Sequence, residues 1–257
     1  MNYGLYQSAG GVLSNLHEFQ VISNNLANAQ TTGFKADLAL AQQRLPGRIE
    51  AGSFSDPSLL LERLGGGQLT TPTMVEFVQG SLEETGASGD VALEGRGFFV
   101  VGPERGSDGQ NMVLTRDGRF TLDADNQLVM STTGWHVLDE RNQAIELQPG
   151  TFEIRDDGTI VQNEQEIARV AIRSVEHPDA LEKIGEGLLR PTIQSGRAEA
   201  DGETIVRQGY LESSTVNPII AMKDLMELSR ALEANVRMMQ YQDVLMGQAA
   251  GTLGKVT

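Results

Sequence analysis

The chain has no cysteine, a single tryptophan and no apolar run long enough to cross a bilayer. Without cysteine there are no disulfides, no thiolate metal sites and no thiol nucleophile, while the redox compartment stays open, because oxidising and reducing locations both tolerate a Cys-free chain. Without a stretch of about 18 apolar residues, direct membrane insertion is not expected. Positive charge is scarce, with 20 Lys and Arg against 35 Asp and Glu and a net charge of −15. A surface of that sign repels phosphate backbones, so nucleic acid is not an expected partner. No Lys or Arg precedes Lys35, and the opening residues lack the apolar core of a signal peptide, which leaves a conventional secretory route unsupported.

What the chain does have is enough apolar content, 39% over 257 residues, for a packed core. Its 29 glycines against eight prolines suit the many tight turns of a β-rich body. The first segment (1–34) reads as a helix, because Leu5, Ala9, Val12, Leu16, Phe19, Ser23 and Leu26 recur at alternating spacings of four and three. Gln30-Thr31-Thr32-Gly33 ends it near Asn28. Residues 35–80 read as an extended connector, interrupted by Pro46-Gly47, Asp56-Pro57, Gly65-Gly66-Gly67 and Thr71-Pro72, with short pieces such as Ser58 to Leu64 between them.

From 81 to 207, short apolar runs alternate with turn dipeptides, which predicts an antiparallel β domain. Gly97 to Val101 is followed by a turn at Asp117-Gly118, then Phe120-Thr121-Leu122, a turn at Asp125-Asn126, and Gln127 to Met130. Asp157-Gly158 separates two further strands, Ile167 to Val175 alternates apolar and polar residues, and Ala180 to Ile184 suggests a helical turn. The last segment (208–257) returns to helix. Asn217-Pro218 marks its start, with Asn217 suited to capping and Pro218 to the first helical position. Leu225, Ser229, Leu232, Val236, Met239, Asp243, Met246 and Ala250 keep the four-three rhythm, and Glu233 can pair with Arg237 one turn on.

Fully burying a Leu or Met is worth roughly 1.5 to 3 kcal/mol, so about ten such positions left in water would forgo more than a domain's net stability. The two stripes therefore need covering, either by the β domain as core helices or by each other and by further copies of the chain. The fold class is α+β: N- and C-terminal helices forming an α-helical coiled-coil domain, with a central, mainly antiparallel β domain between them.

Catalytic chemistry finds little support. His17, His136 and His177 lie far apart with no ligand-type partner four residues away. Asp123-Ala124-Asp125-Asn126 begins like a calcium loop but lacks the required glycine and terminal Glu, so a hairpin turn is expected there. Gly95-Arg96-Gly97 lacks the third glycine of a dinucleotide loop. No catalytic residue, metal or cofactor is assigned. A wall-cleaving hydrolase built on paired carboxylates and a monomeric coiled-coil adaptor are the readings of other classes.

Several blocks resemble a known family. Ile22-Ser23-Asn24-Asn25-Leu26-Ala27-Asn28 with Thr31, Gly33, Phe34 and Lys35 is similar to the N-terminal signature of flagellar rod and hook proteins. The resemblance continues in Asp90 to Val101, in Thr115-Arg116-Asp117-Gly118-Arg119-Phe120, in Leu181 to Leu188, and in Gly209-Tyr210-Leu211-Glu212-Ser213-Ser214-Thr215-Val216-Asn217. It implies a non-enzymatic subunit of the basal-body rod, passed through the flagellar type III export apparatus without a cleaved signal. It further implies helical stacking with copies of itself and other rod proteins, terminal helices forming the inner tube. Chain length and a single β region fit a rod subunit, and the connector from Arg44 to Gly80 favours the proximal over the distal rod. Assembly contacts are then expected at Leu5, Val12, Leu16, Phe19, Asn24, Asn25, Leu26, Asn28 and Phe34. On the C-terminal side they are expected at Asn217, Leu225, Leu232, Val236, Met239 and Met246.

Overall fold

The computed structural model describes residues 3–43, 68–103 and 112–253. It is an α+β molecule in which an N-terminal helix, Tyr3–Ala27, and a C-terminal helix, Pro218–Leu253, flank a central antiparallel sheet domain. Two compact units divide the described residues. One is drawn from residues 3–26, 37–43, 68–74 and 218–253, and the other from 27–36, 75–103 and 112–217. Ser58 to Leu64, and most of the connector with it, lies outside the described residues. Its flanks meet as the short antiparallel strands Ala41–Gln43 and Gln68–Thr70.

The second unit is organised on the run Phe98–Gly102, whose five residues are all buried. Side chains alternate across a strand, so burial of every residue requires cover on both faces. Phe99 and Val101 join one apolar cluster with Val113, Phe120, Leu128 and Met130. Phe98 and Val100 join another with Leu114, Leu138 and Leu189. Phe99 packs edge-on against Phe120 at 5.0 Å between ring centroids, a favourable aromatic geometry. The sheet around this strand runs Glu182–Gly185, Leu188–Arg190, Val113–Thr115, Phe98–Gly102, His136–Val137, Leu128–Met130, Phe120–Leu122, with Ile172–Ser174 and Glu199–Ala200 to one side. Every pairing in it is antiparallel. Glu153–Ile154, Thr159–Gln162 and Gln165–Arg169 form a separate three-stranded sheet.

The turn at Asp125-Asn126 is present. Asn126 adopts φ of 60°, and the Asp123 carboxylate accepts from the Asp125 and Gln127 amides at 2.9 and 2.7 Å. The aspartate is thus consumed in holding a hairpin. Asp157-Gly158 also turns, with Gly158 at φ 84°. Asp117-Gly118 does not. Gly118 lacks a positive φ, and the strand before it pairs elsewhere, with Phe98–Gly102 and Leu188–Arg190. Its glycine serves close approach: a Cβ there would stand 1.6 Å from the Val91 carbonyl oxygen, whose own amide bonds the Gly118 carbonyl at 2.9 Å. No side-chain rotation relieves a clash with backbone, so Gly118→Ala is expected to cost about 3 kcal/mol and lower the thermal midpoint by roughly 6 to 12 °C, measured by calorimetry. The alternation from Ile167 to Val175 is split between Gln165–Arg169 and Ile172–Ser174, which belong to different sheets. The expected helical turn at 180–184 is instead a 3-10 turn at Pro178–Ala180 followed by the strand Glu182–Gly185.

Candidate assembly surface and a buried ionic node

Three sequence blocks converge in the interior of the β unit. Lys35, Arg116 and Glu212 are 3%, 5% and 1% exposed. Glu212 Oε1 accepts from Lys35 Nζ at 2.5 Å and from the Gly80 amide at 2.8 Å, and its Oε2 accepts from Arg116 Nη1 at 3.2 Å. Two further donors find backbone carbonyls, Lys35 Nζ donating to Val78 O at 2.7 Å and Arg116 Nη2 to Gly95 O at 2.6 Å, while Arg116 Nε is buried without an acceptor. The Arg116 guanidinium also lies 5.0 Å from the centroid of the Phe98 ring. Burial pushes both cations below their ordinary pKa, with Glu212 pulling each the other way. Desolvation is the larger influence on both, so these charges are held in place by the fold and depend on a single carboxylate.

The node is wired to the backbone at both helix roots. Gly33 N donates to Glu212 O at 2.7 Å, Thr215 N to Phe34 O at 3.1 Å, and Ala36 N to Thr215 Oγ1 at 3.0 Å. The stretch leaving the first helix is thereby stitched to the stretch entering the second. Lys183 adds a clamp, donating to Lys35 O at 2.5 Å with its ammonium 4.2 Å from the Phe34 ring centroid. Gly33 can be no other residue at low cost, since φ is +67° and a Cβ would stand 2.5 Å from the Arg116 carbonyl carbon. Beside the node, the buried Asp117 carboxylate takes Arg119 Nη2 at 2.8 Å and Thr132 Oγ1 at 3.0 Å, and that bond raises the Arg119 pKa.

The helical unit is built differently. Gly11 approaches Asn235, whose Nδ2 would lie 3.5 Å from a Cβ at that glycine. These two residues are almost equally far along their helices from Ala27 and Pro218. With the roots stitched together, the helices run antiparallel. On the first helix Ser14, Val21 and Asn25 are buried, and on the second Ala221. The covered stripe of the second helix continues through the half-buried Leu225, Leu228, Leu232, Asn235, Met239, Gln242 and Met246. Asn25 is spent internally, its Nδ2 donating to Asp37 O at 2.8 Å and its Oδ1 accepting from Asp37 N at 2.9 Å. Large apolar side chains face away from this seam: Leu13 is 66% exposed, Met226 57%, Tyr241 69% and Leu245 63%.

Of the residues expected to make contacts, Leu5, Val12, Leu16, Phe19, Asn24, Asn25 and Leu26 share the first helix. Val12, Phe19 and Leu26 are half-buried there, Leu16 and Asn24 exposed. Asn28 follows that helix, and its side-chain oxygen accepts from Thr31 Oγ1 at 3.3 Å. Phe34 is buried in the β unit, away from any outward face. Asn217 is exposed just before the second helix, on which Leu225, Leu232, Met239 and Met246 are half-buried and Val236 is exposed. Glu233 and Arg237 pair at 3.6 Å, both exposed. The ionic node itself was not anticipated. Its one signal was charge set among glycines and aromatics, in Gly33-Phe34-Lys35 and Thr115-Arg116-Asp117-Gly118. Among the described residues no helix is long and apolar enough to cross a membrane, and no group of three or more acidic or His side chains is placed to hold a metal.

Three family models match the chain in succession: flagella basal body rod protein over residues 12–35, flagellar hook protein FlgE/F/G D1 domain over 92–162, and flagellar basal body rod FlgEFG protein C-terminal over 207–252. The chain is 30% identical to the flagellar basal-body rod protein FlgF of Caulobacter vibrioides over the full length of both. It is 32% identical to FlgG of Buchnera aphidicola from Acyrthosiphon pisum, over 94% of this chain and 96% of that one. It is 27% identical to FlgF of Mesorhizobium japonicum, over 99% of each. The first model covers the first helix from residue 12 onward and the third nearly all of the second, and all three charges of the node fall in matched segments.

Proposed function

The chain belongs to the flagellar basal-body rod protein family and is a structural subunit of the rod, and from that premise we propose that it occupies the proximal rod, polymerising helically around the export channel. The observation that carries the assembly reading is the large apolar side chains left outside the helix pair. The covered stripe already holds Val21, Ala221, Leu225, Leu232 and Met239, with Gly11, Ser14 and Asn235 among them, yet Leu13, Met226, Tyr241 and Leu245 face solvent. A helix pair that served only its own chain would carry polar residues on that outer face. Exposed apolar side chains of this size and number mark a place for partners. Those partners are the helices of neighbouring copies and of other rod proteins, packed as a coiled-coil inner tube.

The node ties the stretch after the first helix, residues 33–36, to the stretch before the second, residues 212–215, within the β unit. End-to-end similarity to FlgF relatives, against 94% coverage by the FlgG relative, supports the proximal position, with the distal rod as the second reading. Such a subunit reaches its place across the periplasm through the flagellar type III apparatus. A cryo-EM map of isolated hook-basal bodies tests the position: density for this chain is expected in the lower rod, and density only beneath the hook would assign it to the distal rod.

A further inference from the structure

A cavity of about 460 Å³ opens against the ionic node. One wall is the edge-to-face pair Phe77 and Phe98, 5.4 Å between centroids. Lys35, Arg116 and Arg96 bring three positive charges to it, against the single lining carboxylate Glu176. Both oxygens of the neighbouring Glu212 are already engaged by Lys35, Gly80 and Arg116. Two donors remain over. Arg116 Nε is buried without an acceptor, and the exposed Arg96 has no ion pair or hydrogen bond among the described residues.

A buried cation with an unmet donor is costly, and the cost falls if an anion arrives from outside. The aromatic wall suits a short apolar stem, so the chemistry that fits is a carboxylate on one or two methylenes. The chain as a whole, at −15, repels its own copies, and a positive recess of this kind is where an acidic neighbour can approach favourably. Resting on the rod reading, we propose that this cavity is a socket for an Asp or Glu side chain of an adjacent rod subunit, which fixes the rotational register between neighbouring β units.

The test uses the full chain, ¹⁵N-labelled, titrated with 3-phenylpropionate, with its neutral amide and with inorganic phosphate at equal ionic strength, while the Gly80 and Gly95 amides and the arginine side-chain N–H signals are followed. Saturable shifts with the carboxylate alone are expected, weakened about threefold in Arg96→Gln, as befits loss of one exposed ionic contact. Equal shifts with the amide, or unchanged carboxylate binding in Arg96→Gln, would overturn the socket. Phosphate binding as tightly would make it a free-anion site and overturn the subunit occupant. In cells, Arg96→Glu is expected to reduce rod completion while leaving the unfolding transition of the purified chain unchanged. Normal rods carrying this variant would sink the socket and leave the rod assignment standing, whereas absence of the chain from basal bodies would sink the rod assignment itself.

Discussion

Glu212→Gln is expected to destabilise the β unit by about 3 to 5 kcal/mol, the penalty for stranding buried charge when one partner of an ion pair is removed. The glutamine keeps the shape of the carboxylate, so no cavity forms and no backbone moves. What it loses is the one negative charge, among the described residues, that is bonded to Lys35 and Arg116, two cations that are themselves 3% and 5% exposed. Its amide also places a donor against one of them. The single tryptophan, Trp135, packs against the core of the β unit and gives a clean fluorescence readout of urea unfolding. Lys35→Met is expected to cost less than Glu212→Gln, because Arg116 still pairs with the carboxylate. The triple replacement Lys35→Met, Arg116→Met, Glu212→Leu is expected to recover most of the loss, because apolar groups of similar volume often match or exceed a buried ionic cluster. A single replacement of Glu212 that left the urea midpoint unchanged would show that water, and not the carboxylate, satisfies these cations. Motility is expected to fail with stability, since Glu212 O and the Gly33 amide hold the two helix roots together.

The β unit was legible because local rules and tertiary demands agree there. Asp125-Asn126 and Asp157-Gly158 carry the positive φ that their turns need, and the short apolar run from Phe98 to Val101 has the length of a strand, which the structure covers on both faces. Asp117-Gly118 misled because the same dipeptide answers a different need, room for the Val91 carbonyl, and that need is invisible without the fold. The helices kept their four-three rhythm but not their phase. Ser229, Val236 and Asp243 were expected in the seam; the covered positions are Leu228, Asn235 and Gln242, one residue earlier in each case, while Leu225, Leu232, Met239 and Met246 serve either phase. A helix apolar on two faces leaves its phase undetermined until a partner is chosen. The node was unreadable for another reason: its charges stand at 35, 116 and 212, and only the folded sheet brings them together.

Met226→Glu and Leu13→Glu are expected to leave the isolated chain intact and abolish its incorporation into the rod. Met226 is 57% exposed and Leu13 66% exposed, so a charge at either site stays hydrated in the monomer, and stability should change by no more than about 0.5 kcal/mol. In an assembled tube the same carboxylate would be carried into a helix interface. An unpaired charge buried there costs several kcal/mol at each subunit contact, and about 3 kcal/mol already lowers an association constant roughly 150-fold. A filament repeats that contact at every subunit, so the penalty multiplies along the rod and the phenotype should be absence of swimming, not slow swimming. The readout is paired: helical circular dichroism and the Trp135 transition on the purified variant, and rod completion and swimming in cells. Charges at the buried positions Ser14 and Val21 provide the contrast, because they should unfold the helix pair in the monomer as well. If Met226→Glu and Leu13→Glu both built normal rods, the outward apolar face would have no partner, and assembly would have to rest on the β unit alone. If they failed only by disordering the monomer, the two faces would be one continuous core. Loss of assembly with an unaltered monomer is the outcome that only an interface between subunits produces.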